Sequence, residues 1–223
     1  MNAVRTKKAY KGLPMEGLIA RWYTKTTARD LKRHQQMVAQ LAPKIPAGAS
    51  VLEIAPGPGF FCIELAKFGD YRITGLDISK SFVEVARKQA AGAGLKIDFR
   101  LGNAADMPFE DETFDVTFCQ AAFKNFSEPV QAIAEMYRVL RPKGAAVIVD
   151  LRCDASPEDL EQEIQGMGLG RIDEMLTRWT FKYMLLKSAY SIAEIEVMIA
   201  QTPFGNGKIE TSGVGFQAWL EKS

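Results

Sequence analysis

The spacing of hydrophobic and polar positions changes period along the chain, and each change marks an element. Between Met15 and Leu41 the apolar residues Leu18, Ile19, Trp22, Leu31, Met37, Val38 and Leu41 recur at helical intervals, predicting one or two helices behind a basic, aperiodic start at Met1–Lys11. Pro43 and Pro46 end that pattern within Ala42–Gly48. Ser50–Ala55 is then a short apolar, β-branched run suited to a strand covered on both faces. From there strand and helix patterns alternate. Further strands are expected at Arg72–Leu76, Lys96–Leu101, Phe114–Cys119 and Ala145–Leu151. Between them lie three helical stripes: Phe61, Leu65 and Phe68; then Phe82, Ala86, Ala90 and Ala93; then Val130, Ile133, Ala134, Tyr137 and Leu140, stopped by Pro142–Gly144. Such alternation predicts a parallel sheet with helices on both faces.

Beyond Leu151 the signals are caps and turns. Ser156 before Pro157 reads as an N-cap with proline at the first helical position, opening a helix that ends near Gly166, Gly168 and Gly170. Ser191 and Glu194 form a capping-box pattern ahead of Ile195, Met198 and Ile199. Lys208–Ser212 and Val214–Leu220 read as a hairpin around Gly213. The expected fold class is α/β: a Rossmann-like, doubly wound, seven-stranded and mostly parallel sheet with a C-terminal antiparallel hairpin, an N-terminal helical arm and a helical cap insertion. A single domain is expected over 1–223, with the arm at 1–48, the core at 49–151, the cap at 152–190, and the last helix and hairpin at 191–223.

Composition narrows the function. The 28 basic and 27 acidic residues produce no broad positive field, so a nucleic-acid partner is not expected. Cys62, Cys119 and Cys153 are widely spaced and His34 is the single histidine, so no metal site is expected. Each cysteine lies in or beside an apolar run, consistent with buried reduced thiols and a cytoplasmic location. No apolar run reaches the roughly 18 residues needed to span a bilayer, and the start lacks a signal-peptide core, so no membrane partner is expected.

The densest chemical signal is Val51–Phe60, VLEIAPGPGF, where a strand carrying Glu53 runs into a turn carrying Gly57 and Gly59. Those glycines allow a sharp turn and close approach of main chain to a ligand. Asp77 ends the next strand about 20 residues on, where a carboxylate can accept hydrogen bonds from both ribose hydroxyls. A turn after one strand and an acid after the next together indicate a nucleoside-binding α/β core.

In this order the features over roughly Ala49–Leu151 resemble the class I S-adenosylmethionine-dependent methyltransferases, particularly the small-molecule type 11 and ubiquinone/menaquinone group. The first motif of that family becomes Glu53, Ala55, Gly57 and Gly59, with Ala55 in place of the usual first glycine; ordinary backbone angles at Ala55 would accommodate the extra methyl. The resemblance implies S-adenosylmethionine as cofactor, with Glu53 acting toward its amino group, Asp77 on the ribose and Ile78 on the adenine face. Gly102–Phe109, GNAADMPF, resembles the adenine loop, placing Asn103 where aspartate is common, with Ala104 and Ala105 lining the ring pocket. Gln120 follows the fourth strand and would meet the methionyl part, while Lys124 and Asn125 are the candidates for acceptor contact and for a general base. Asp115 is expected to be structural.

Tyr10, Trp22 and Tyr23 would close over the cofactor or serve as core, and Tyr23 is included in the cofactor set. In the cap, Arg171, Arg178, Trp179, Phe181, Lys182, Tyr183 and Lys187 interleave charge with aromatic area. That mixture suits an anionic or aromatic small acceptor, and a solvated basic helix face explains it equally. The leading expectation is methyl transfer to a small-molecule acceptor. Two others stay open: a repurposed or non-catalytic protein of the same fold, and a nicotinamide oxidoreductase, for which Phe60, Phe61 and Cys62 lack the third small residue of the dinucleotide turn. Acceptor identity, methylated atom and oligomeric state are not encoded in these patterns.

Overall fold

The computed structural model describes residues 10–11, 15–28, 31–167, 170–181 and 185–223. Seven strands form one sheet: β1 (Ser50–Ile54), β2 (Arg72–Asp77), β3 (Asp98–Leu101), β4 (Phe114–Gln120), β5 (Leu140–Leu151), β6 (Lys208–Ser212) and β7 (Gly215–Glu221). Their spatial order is β3-β2-β1-β4-β5-β7-β6, with β7 antiparallel to both of its neighbours and the remaining pairs parallel. The chain therefore reverses its direction of travel across the sheet between β3 and β4. This switch opens a crevice at the carboxyl ends of β1 and β4, the position at which doubly wound sheets bind ligands.

Every residue of β1 is buried, and its side chains divide between two cores. Leu52 and Ile54 join Ile148, Met136 and Ile195 on one face, whereas Val51 joins Phe61, Leu65, Val83 and Phe118 on the other. Helices α1 (Gly17–Thr27) and α2 (Leu31–Leu41) precede the sheet, and α3 (Phe60–Phe68), α4 (Lys80–Gly92) and α5 (Pro129–Val139) are its crossovers. The cap contains α6 (Pro157–Gly166), α7 (Arg171–Thr180) and the single turn α8 (Leu186–Ser188), and α9 (Ile192–Ala200) follows. Both expected capping devices are present: the side chains of Ser156 and Ser191 accept from the amides of Asp159 and Glu194, and each acid returns the bond.

The structure departs from the sequence pattern in four places. Strand β5 begins at Leu140, the last residue of the expected helical stripe, and runs through the expected turn at Pro142–Gly144, where Lys143 takes a positive φ of 64° and the ladder with β4 slips between Phe114 and Val116. Helix α1 does not bury its large apolar residues. Ala20 and the half-buried Tyr23, Thr24 and Thr27 form its inner side, leaving Leu18 79% and Trp22 66% exposed. Phe68, expected in the first crossover stripe, is also exposed, because it lies at the last residue of α3. Cys153 is exposed rather than buried, since it follows the end of β5 where the chain leaves the sheet. Residues 1–9 of the basic start, together with Lys182 and Tyr183 of the cap, lie outside the described residues.

Candidate functional site

The β1–α3 turn is built from left-handed residues. Ala55, Gly57 and Gly59 have φ values of 55°, 54° and 81°. Ala55 therefore lacks the ordinary angles that its sequence position invited, and its main-chain N–H is held by Leu76 O at 2.8 Å. A side chain at Gly59 would collide with Ala86 Cβ and Phe99 Cζ, both at 2.9 Å, so this glycine lets α3 pack closely. Around Gly57 a Cβ would meet nothing within 4 Å. One glycine serves packing, and the other leaves open space beside the main chain.

Two carboxylates converge on this turn. Asp77, at the end of β2, accepts from Gly57 N through Oδ2 at 2.9 Å and from Ser79 N through Oδ1 at 2.8 Å. Glu53 points to the α3 side of the sheet, where Cys62 Sγ donates to its Oε2 at 2.8 Å. Cys62 is thus a hydrogen-bond donor as well as a small packing residue. Burial pushes the Glu53 carboxyl up to about 7, against the lowering effect of the Cys62 bond. Burial likewise pushes Asp77 up to about 6, with the nearby Glu16 charge acting in the same direction. No Lys or Arg among the described residues forms an ion pair with either acid. Two buried acids with only neutral donors make an environment that favours a cation.

The other candidates lie at the same end of the sheet. Gln120 is the last residue of β4, and its Oε1 is buried without a hydrogen-bond donor among the described residues. An orphaned acceptor of this kind costs about 1–3 kcal/mol unless a ligand or water supplies a donor. Ile78 is 45% exposed directly after Asp77, so an apolar surface is open where the adenine was expected. Asn103 Oδ1 accepts from Ala105 N at 3.1 Å, closing a turn that includes Ala104, and the Asp77 carbonyl binds the N–H of Gly102 just before it.

This loop depends on residues that the motif reading passed over. Glu135 of α5 accepts from Met107 N, while Arg138 donates to the carbonyls of Met107 and Phe109 and pairs with Glu135. The i,i+3 spacing of Glu135 and Arg138 was a visible signal for the pair, though not for its target.

Lys124 has a different occupation from the one expected of a substrate-facing base. A short 3-10 turn, Phe123–Asn125, buries it, and its Nζ donates to Asp150 Oδ1 at 2.8 Å and to Ala121 O at 2.9 Å. Its own N–H reaches Asp150 Oδ2 at 3.0 Å. Asp150, at the carboxyl end of β5, thus pins the turn by both main chain and side chain. Asn125 is half-buried, and its carbonyl accepts from Lys11 N at 2.8 Å. Asp115 sits at the opposite, amino end of the sheet, bound by Ser50 N and Arg141, which hold its carboxyl below the usual range against the raising effect of partial burial.

The arm reaches the site at Tyr10. This residue bridges to Phe126, and burial, followed by the Asp77 charge, raises its hydroxyl pKa. Lys11 also donates to the Tyr190 hydroxyl and lies over that ring. Tyr23 packs edge-on against Phe82 of α4 at 5.6 Å between centroids, so that contact places it on the helix behind Asp77.

A doubly wound sheet, a left-handed glycine turn after β1 and an acid ending β2 define a nucleoside-binding α/β protein. Residues 52–148 match the family model described as a methyltransferase domain. Over 107 residues the chain is 37% identical to a demethylmenaquinone methyltransferase of Deinococcus radiodurans, covering 48% of this chain and 44% of that one. The chain spans about half the length of the relatives it matches. Its fold is similar to that of a protein of Methanococcus maripaludis assigned as an S-adenosylmethionine-dependent methyltransferase, with a TM-score of 0.77, 18% identity and coverage of 100% and 97% of the two chains. A second neighbour in fold is the (4+2)-cyclase SpnF, with a TM-score of 0.57, 19% identity and coverage of 84% and 80%. Residues 52–148 are thus similar to a methyltransferase domain, and the fold around them is shared with a structure assigned as an S-adenosylmethionine-dependent methyltransferase.

Among the described residues no group of three or more His, Cys, Asp or Glu side chains could hold a metal ion. No helix among them is long and apolar enough to cross a membrane.

Proposed function

We propose that the chain transfers a methyl group from S-adenosylmethionine to a small-molecule acceptor of aromatic, quinol-like character. The observation that carries the cofactor reading is the pair of buried, cation-free acids, Glu53 and Asp77, flanking the left-handed turn. The acceptor class follows the demethylmenaquinone methyltransferase relatives and is supported by the aromatic side chains Trp179 and Tyr190 in and beside the cap.

When bound, S-adenosylmethionine supplies an activated methyl group on a sulfonium. In this reading Asp77 accepts from the ribose hydroxyls, Ile78, Ala104 and Ala105 cover the adenine, and Asn103 shapes the loop that holds it. The turn main chain at Ala55, Gly57 and Gly59 faces the methionyl part, and Gln120 Oε1 accepts from its ammonium. Glu53 stabilises that cation from beneath the turn. The protein's task is to align donor and acceptor and to keep water out, for which a strong base is not required. Lys124 and Asp150 shape the acceptor side by fixing the turn that carries Asn125.

Calorimetric titration with S-adenosylmethionine, S-adenosylhomocysteine and reduced nicotinamide dinucleotide, repeated on Asp77→Ala, tests the cofactor half. The expected result is saturable binding of the first two, weakened in the variant. Preference for the nicotinamide would overturn it. A product assay with demethylated quinols tests the acceptor half; cofactor binding with no methylated product would favour the repurposed reading that the cyclase neighbour exemplifies.

A further inference from the structure

Charge is distributed very unevenly along this nearly neutral chain. Before Ala42 there are nine Lys and Arg against two Asp and Glu; from Ala42 onward there are nineteen against twenty-five. Helices α1 and α2 contain Arg21, Lys25, Lys32 and Arg33 and no acidic side chain. The acid just before α1, Glu16, is already engaged: it accepts from Lys80 N and Ser81 N at the start of α4. Ser79 Oγ donates to Met15 O and Gly17 N donates to Ser81 Oγ, so the beginning of α1 is fixed to α4 directly after Asp77.

That anchoring decides which side of α1 faces outward. Ala20 is fully buried and Tyr23 packs on Phe82, leaving Leu18, Arg21, Trp22 and Lys25, at i, i+3, i+4 and i+7, on the opposite face. Leu18 and Trp22 are among the most exposed large apolar residues of the protein. Neither Arg21 nor Lys25 forms an ion pair among the described residues. An aromatic and an aliphatic anchor flanked by unpaired cations is the composition of a helix that lies in the headgroup region of a bilayer.

We infer that the outer face of α1 docks the protein on an anionic membrane surface, Leu18 and Trp22 entering the interface while Arg21 and Lys25 meet lipid phosphates. The lack of a spanning run, which argued against a membrane partner, does not bear on surface docking. Nucleic acid would engage the cations but would leave Leu18 in water. Because α1 is tied to the residues following Asp77, docking would turn this flank of the site toward the lipid. The inference stands apart from the methyltransferase reading, since it requires neither cofactor nor acceptor.

Co-sedimentation of the full chain with vesicles of phosphatidylcholine alone, or with about 30% phosphatidylglycerol, tests it. The expected outcome is binding to the anionic vesicles that weakens at least about tenfold on neutral ones, in Arg21→Glu/Lys25→Glu and in Leu18→Ser/Trp22→Ser. Trp22→Phe should remove a blue shift in tryptophan emission on binding. All variants should keep the parental melting temperature, because none of these side chains packs inward. Three results would overturn the inference: no vesicle binding at low salt, equal binding by the variants, or retention on duplex DNA in place of vesicles. So would dissociation of a dimer by Leu18→Ser/Trp22→Ser when the parent ignores lipid.

Discussion

The carboxyl ends of β1 and β2 bury acids without cations, whereas the carboxyl end of β5 buries an acid with one. Glu53 and Asp77 receive hydrogen bonds from a thiol and from main-chain amides, and their carboxyls are pushed up to about 7 and about 6. Asp150 meets the ammonium and the main chain of Lys124, with both side chains almost fully buried. The contrast separates acids that the fold leaves without a countercharge from one that it compensates. A buried acid left electrically uncompensated is an arrangement that a ligand completes, while a compensated pair is already complete and holds the backbone around it.

The largest test of that contrast lies on the compensated side. Replacing Lys124 with Met leaves Asp150 buried and unpaired, and a loss of about 3–5 kcal/mol in denaturant unfolding is expected, with partial recovery in Lys124→Met/Asp150→Leu. A Lys124→Met protein that unfolded like the parent yet lost turnover would reverse the assignment and restore Lys124 as a catalytic group.

On the uncompensated side, Asp77→Ala should weaken S-adenosylmethionine binding by about 100-fold, as expected for losing charge-assisted bonds to a diol. Gln120→Ala should cost less, about tenfold in the same titration, with no loss of hydrogen-bonded stability in the melt because its Oε1 has no protein donor to lose.

The pH response should carry opposite signs for folding and for binding. Both folded carboxyl values exceed the unfolded ones near 4, so between about pH 4 and about pH 7 the folded protein holds more protons than the unfolded chain. Their contribution to stability is greatest below that window and falls as pH rises through it. Affinity for a cationic ligand should rise over the same range as the acids ionise, then level off above about pH 7. Thermal melts and titrations across the range would show this, and parallel trends would remove Glu53 and Asp77 from the ligand site.

The smallest effect concerns Ala55. Glycine there relieves a left-handed alanine but frees the unfolded chain, so Ala55→Gly should change stability by less than about 1 kcal/mol. A large gain would mean that the turn stores more strain than its hydrogen bond to Leu76 implies.

The strands, crossovers and caps were readable because period-two and period-3.6 patterns and capping residues are local, and Asp77 and the glycine turn were readable because their spacing is local too. The helix that buries Ala20 and exposes Trp22 was not, since apolar spacing reports that a face exists without saying which neighbour covers it. Nor was the dependence of the Gly102–Phe109 loop on Glu135 and Arg138, which come from a crossover about 30 residues later.

Sequence alone therefore determined the element order, the two acids and the turn between them, because each is set within a short stretch of chain. Tertiary structure decided which acids remained without a cation, that Lys124 closes on Asp150, and which face of α1 looks outward. Charge compensation and burial depend on partners that only folding brings together.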